Sequence, residues 1–325
     1  MIPPRLALSS LLAVLVFGLA QRSLAGPPTS HAAGPPTPRA SGAPMPLTVI
    51  DSQAAYPEGP LWHGGALYYV EYAGPGVKRW DGKTTSVFWS GAHCGASGLI
   101  DYGADHLLVA CYDANTLVEI DASGRTVRTF DKDSSGAPFV GPNDFAADGS
   151  GGVYFSASGV YDLKAPITGA VLHLSADGRE IVRLADTIHY SNGLTVSKDG
   201  KTLLVAEGLA ARILAFPIES DGRLGPRTVW ARLIDLAPAT PNEDAYNGPD
   251  GLKLGPDGNY YIAQNGSGRV LVVDRDRKLV RIVSVPTRNV TNLGFGPEGA
   301  ATLFITGVFQ QFKPPYRGTV YRWSK

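Results

Sequence analysis

One short motif recurs six times along the chain, and its spacing constrains the fold more than any other feature. The copies read PEGPLW (57–62), ASGLID (96–101), PNDFAAD (142–148), SNGLTVS (191–197), PDGLKLG (249–255) and TNLGFG (291–296). Each is followed by an apolar stretch of strand character: ALYYVEY, HLLVACY, GVYFSAS, TLLVAEG, NYYIAQN and TLFITG. A third apolar run then follows in every copy, and Asp-Gly turns such as Asp81-Gly82, Asp177-Gly178, Asp199-Gly200 and Asp257-Gly258 punctuate the series, as hairpins require. The equivalent positions 58, 97, 143, 192, 250 and 292 lie 39, 46, 49, 58 and 42 residues apart. That interval is one four-stranded propeller blade of roughly 40–50 residues with loop insertions. No segment sustains helical periodicity. The sequence therefore predicts an all-β fold, a six-bladed β-propeller with four-stranded blades. The last repeat ends at Trp323 with little chain left for a fourth strand. LTVID (47–51) is expected to supply it, closing the ring and removing an exposed sheet edge.

The propeller is expected to occupy residues 46–325. Before it, Leu6 to Ala20 is an apolar run broken only by Ser9 and Ser10, preceded by Arg5 and followed by Ser23-Leu24-Ala25. This reads as a signal peptide over 1–25, since the run is short of the ~20 residues that span a bilayer. Residues 26–45 are rich in Pro, Gly, Ala and Ser, a composition that cannot offset chain entropy, and read as a disordered linker. The expectation is an exported protein, periplasmic or secreted, with no membrane contact after cleavage. In that setting the two cysteines, Cys94 and Cys111, can form a disulfide or remain thiols, and the sequence leaves both open.

Lys and Arg together number 29, as do Asp and Glu, so no basic field exists for nucleic acid or an anionic membrane. Neither a G-x-S-x-G elbow nor an H-E-x-x-H zinc motif occurs. Asn265-Gly266-Ser267-Gly268 sits between two strands rather than before a helix, so it is no phosphate loop.

In a propeller the first strand of each blade lines the central channel, and equivalent residues converge on the axis. The repeated polar position holds Glu58, Ser97, Asn143, Asn192, Asp250 and Asn292. Asn or Asp beside Gly is an ordinary turn signal when met once. Its coincidence at one repeat position, with a Glu where no turn former is needed, points to a site. Glu58, Asn143, Asn192 and Asp250 offer two carboxylates and two amide oxygens, a set suited to one hard divalent cation. Calcium is the first expectation, with Mg2+, Zn2+ or Mn2+ as alternatives. Ser97 and Asn292 are expected to reach substrate or bound water.

With these residues in view, the chain resembles the SMP-30/gluconolactonase/luciferin-regenerating-enzyme family over residues 47–323. The resemblance is carried by Glu58-Gly59-Pro60, Pro142-Asn143-Asp144, Ser191-Asn192-Gly193-Leu194, Pro249-Asp250-Gly251-Leu252 and Thr291-Asn292-Leu293-Gly294-Phe295-Gly296. It implies a six-bladed propeller, a single divalent metal on the four residues named, and lactone hydrolysis, with some relatives splitting organophosphates. The chain departs from the family pattern at Val70-Glu71-Tyr72, at Ser97, at Cys111-Tyr112-Asp113 and after Asn143.

The expected reaction is opening of a lactone ring, with a sugar lactone such as gluconolactone as substrate. The alternatives are an organophosphate or aryl-ester hydrolase on the same metal, or a non-catalytic calcium-stabilised binding propeller. Asp250 is the expected general base. His189, three residues before Asn192, is a candidate substrate contact. Asp144 follows Asn143 on one strand and is expected to point the opposite way, as a supporting hydrogen-bond partner. Trp62, Tyr72, Tyr112, Phe309 and Phe312 are candidate pocket walls, and the insertions 233–247 and 307–317 candidate lids. A monomer or weak oligomer acting on a small molecule is expected.

Overall fold

A computed structural model describes residues 47–241, 246–297 and 301–324. The signal peptide and linker expected before residue 46 lie outside the described residues, and the export expectation with them. Six four-stranded antiparallel sheets make up the fold, and the only helical elements among the described residues are a short helix, Leu233–Leu236, and a 3-10 turn, Gly208–Ala210. The innermost strands are Pro57–His63, Ala96–Tyr102, Pro142–Ala147, Ser191–Val196, Gly248–Leu254 and Asn289–Phe295. Each packs against the next, and the sixth returns to the first. Thr48–Ala55 pairs antiparallel with Arg317–Ser324 as the outer strand of the last sheet, so this early strand closes the ring as expected.

Every second strand in the blades is apolar on both faces because both faces are buried. In His106–Cys111, Leu107, Val109 and Cys111 pack toward the first blade. Leu108 and Ala110 pack toward the third. The same split occurs in Thr202–Glu207, where Leu203 and Val205 face one neighbour and Leu204 and Ala206 the other. Six such clusters fill the gaps between blades. Each fully buried Leu or Val contributes about 1.5–3 kcal/mol of transfer free energy. Cys94 and Cys111 are joined by a disulfide that ties the entry to the second blade onto the end of its second strand.

The glycine beside the repeated polar residue answers to close packing at the hub rather than to turn formation. A Cβ on Gly98 would overlap the Asn143 carbonyl of the next blade, and one on Gly193 would overlap the Asp250 carbonyl and the Leu252 amide. Only a residue without a side chain lets neighbouring inner strands approach this closely.

Candidate active site

All six inner strands carry a register shift at the motif. It falls between Glu58 and Leu61, Ala96 and Gly98, Pro142 and Phe145, Ser191 and Leu194, Pro249 and Leu252, and Val290 and Leu293. A bulge breaks the strict in–out alternation of a strand and re-aims the side chain it contains. Five of the repeated polar residues sit inside these bulges and Glu58 borders its own, which is how six separated positions come to face one axis.

At the end of the channel where the inner strands begin lies a cavity of about 330 Å³. Glu58, Asn143, Asn192 and Asp250 all line it, and all four are buried. Asn265, at the end of the fifth blade's second strand, joins them and donates from Nδ2 to Asp250 Oδ2 at 2.9 Å. Three buried acceptors there have no hydrogen-bond partner: Glu58 Oε2, Asn192 Oδ1 and Asn265 Oδ1. Burial raises the Glu58 carboxyl well above its usual range, and the charges of Asp250 and Asp144 raise it further against the pull of Asn292 and the Gly59 N–H. Burial likewise pushes Asp250 up to about 7, opposed by the amides of Asn265 and Asn192 and assisted by the Asp144 charge.

This donor set fits a hard divalent cation. Unsatisfied buried oxygens and mutually repelling carboxylates are costly alone and favourable around a positive charge. Glu58, Asn192 and Asp250 would hold the ion, with Asn143 lining the same cavity and Asn265 as a candidate that the sequence reading missed. Among the described residues no cluster of three His, Cys, Asp or Glu offers an alternative metal site.

Below the cavity the channel is blocked by charge. Asp144, 1% exposed, accepts from Lys253 Nζ at 2.9 Å on each oxygen and from Asn292 Nδ2 at 3.4 Å. Lys253 also donates to the Phe145 carbonyl at 3.3 Å. Beyond this plug a second cavity of about 340 Å³, lined by Leu61, Leu99, Phe145, Leu194 and Leu254 among others, opens at the far end of the channel. Asp144 therefore lies inside the hub and not on the opposite side. The bulge between Pro142 and Phe145 overrides the alternation that predicted otherwise.

The expected substrate contacts fare differently. Ser97 lines the cavity, but its hydroxyl is engaged by the carbonyls of Pro142 at 3.0 Å, Asn143 at 3.2 Å and Ala110 at 3.3 Å. Asn292 is fully buried and does not line the cavity. Its oxygen accepts from the Leu293 N–H and its amide serves Asp144. His189 is also absent from the cavity wall; its backbone N–H donates to Glu207 Oε1 at 2.8 Å, anchoring the loop, and the adjacent Tyr190 faces the cavity instead. Glu71, a departure from the family pattern, holds the Ala55 N–H and Lys78, and so ties down the closing strand.

The cavity wall is aromatic. Tyr316, Tyr56, Tyr72 and Tyr112 form one arc, with ring centroids 6.1, 5.4 and 6.1 Å apart in turn. Tyr190 follows at 6.3 Å from Tyr112. Tyr161 stands 4.5 Å from Tyr190 and 5.1 Å from Tyr246, and Phe312 lies 5.2 Å from Tyr246. Of the walls predicted, Tyr72, Tyr112 and Phe312 are in place, whereas Trp62 lines the far cavity and Phe309 lines neither. Both predicted lids contribute, through Tyr246 and through Gln311, Phe312 and Tyr316. A repeat signal for two of the missed residues did exist: Tyr56 and Tyr190 each stand two positions before a site residue.

The profile of the SMP-30/Gluconolactonase/LRE-like region matches residues 56–309, from just before the first inner strand into the last blade. The chain belongs to that family. Regucalcin of Danio rerio is 25% identical over 266 residues, which is 80% of this chain and 85% of the relative. Lactonase drp35 of Staphylococcus saprophyticus is 25% identical over 235 residues, 70% of this chain and 65% of the relative. The solved structure of a gluconolactonase from Xanthomonas campestris has a TM-score of 0.70 at 23% identity, covering 86% of this chain and 89% of the other, a likeness of fold. Lactone hydrolysis is thus supported at the level of the family.

Proposed function

We propose that this propeller opens lactone rings by metal-assisted attack of water at the hub. The observation that carries the reading is the convergence of unpartnered buried oxygens of Glu58, Asn192 and Asn265 with the Asp250 carboxylate at the base of one cavity. A divalent cation bound there supplies a Lewis acid that polarises the carbonyl of the ester. Asp250 is the base: its carboxylate lines the cavity, and Asn265 fixes one of its oxygens while leaving the other to take a proton from water. The water oxygen bonds to the carbonyl carbon, the ring C–O bond breaks, and the departing ring oxygen takes up the proton to give a hydroxy acid. Glu58 chiefly binds the cation. The amide oxygens add no negative charge and so preserve its Lewis acidity.

The test is a panel of lactones, aryl esters and organophosphates, assayed with chelator and with metals restored singly. Lactone turnover that disappears with chelator, and that Asp250→Ala lowers by about 10²-fold or more, supports the proposal. Turnover of esters or organophosphates alone would move the chemistry to that class. A folded, calcium-binding protein that hydrolyses nothing would overturn it.

A further inference from the structure

Resting on the lactone reading, we infer that the cavity selects neutral lactones bearing an aryl or similarly flat apolar substituent over polyhydroxylated or anionic ones. The wall above the hub is a run of aromatic rings, Tyr56 through Tyr112 on one side and Tyr190 through Phe312 on the other. Several of their hydroxyls are already committed. Tyr72 donates to Asp113 at 2.8 Å, Tyr112 to the Gly159 carbonyl at 2.6 Å, and Tyr161 to the Tyr246 carbonyl at 3.4 Å. These residues therefore offer the ligand ring surface rather than hydrogen bonds.

Among the described residues no Lys or Arg lines the cavity, so a phosphate or carboxylate on the substrate would meet two carboxylates and no described cationic side chain. The polar residues at the base are needed by the ion, and the Ser97 hydroxyl is taken by backbone carbonyls. One polar side chain on the upper wall is unpartnered. Gln311 is 8% exposed, and neither its Oε1 nor its Nε2 has a hydrogen-bond partner. That amide offers one carbonyl oxygen and one NH2 group at a single point on the wall. The several hydroxyls of an aldonolactone would meet mostly ring surface, with few fixed partners, and each group left unpaired costs affinity. An aryl substituent would exchange water for ring contact and lose nothing.

The experiment compares kcat/KM for γ-phenyl-γ-butyrolactone, unsubstituted γ-butyrolactone and δ-gluconolactone, using the calcium-loaded protein. The phenyl lactone is expected to exceed its parent by about tenfold and to exceed gluconolactone. Phe312→Ala, at a side chain 61% exposed and so no threat to folding, and Tyr161→Ala are expected to erase most of that advantage. Preference for gluconolactone, or a phenyl advantage that survives both substitutions, would overturn the inference while leaving the protein a lactonase. If no lactone is turned over, the hydrolase reading falls and binding decides the specificity. Fluorescence titration with the phenyl lactone at least about tenfold tighter than gluconolactone upholds it, and equal or weaker binding refutes it.

Discussion

Replacing Lys253 with Met tests whether the plug beneath the cavity is a true buried ion pair. Met keeps most of the stem's length and packing, so the change isolates the charge. Asp144 would be left 1% exposed, without two 2.9 Å charge-assisted hydrogen bonds and with only Asn292 and the Phe145 N–H as donors. Removing one partner of a buried pair costs about 3–5 kcal/mol. The Lys253 side chain is 24% exposed, so solvent reaches one side of the pair, and the low end, about 3 kcal/mol, is expected. For a domain of this size that is a fall in Tm of about 6–12 °C. Asp144→Asn should cost less, because Lys253 retains some solvent. The double variant should recover about 2 kcal/mol relative to the sum of the singles. Thermal and urea unfolding in chelator, followed by tryptophan fluorescence, reads all four proteins. A Lys253→Met variant within about 1 kcal/mol of wild type, or strictly additive costs, would show that the pair does not hold the hub together.

Two further outcomes follow from the same centre. The folded Asp250 carboxyl is raised from 3.8 to about 7, so its contribution is fully present below its unfolded value and is lost as pH rises through about 7. The metal-free protein should therefore be more stable at pH 5 than at pH 8 by about 2.5 kcal/mol, the rest of the loss having occurred between pH 3.8 and pH 5, and calcium should restore more at pH 8. Melting curves that show no such slope, or an Asp250→Asn variant that keeps it, would count against the assignment. Gly193→Ala would drive a methyl group into the Asp250 carbonyl and the Leu252 amide, and should cost about 3 kcal/mol while weakening calcium binding measured by calorimetry. Calcium affinity equal to wild type would mean that the strand spacing does not set the ligand geometry.

The fold was legible because a blade interior leaves a strong imprint. Strands such as His106–Cys111 are buried on both faces and must be apolar along most of their length, so their spacing could be counted. The convergence of Glu58, Asn143, Asn192 and Asp250 on one cavity was legible for a related reason: rotation about the axis turns a repeated sequence position into a common point in space. What the sequence concealed was the register. A bulge places two residues opposite one, and no side chain announces it, so Asp144 was assigned to the wrong side of its strand. The aromatic wall was legible only in part: Tyr72, Tyr112 and Phe312 were anticipated, and Tyr56, Tyr161, Tyr190, Tyr246 and Tyr316 were not. Its members come from loops in several blades and are seven of the chain's 14 tyrosines plus Phe312, indistinguishable in sequence from core residues.

The repeat also explains why equivalent positions do not share a role. Six inner strands deliver six polar side chains, and the hub cannot leave all of them unpaired without a cost that one cation could not offset. Two are therefore retired. Ser97 is short enough to be satisfied by carbonyls of its own and the next blade. Asn292 is drawn down to Asp144, which Lys253 of the fifth blade neutralises. With those two satisfied, the unpartnered oxygens that line the cavity are those of Glu58, Asn192 and Asn265, on the first, fourth and fifth blades around the axis. A scaffold of six repeated blades thus keeps its unpartnered oxygens at the cavity end of the hub, where a bound cation would face the aromatic wall rather than a complete ring of protein oxygens.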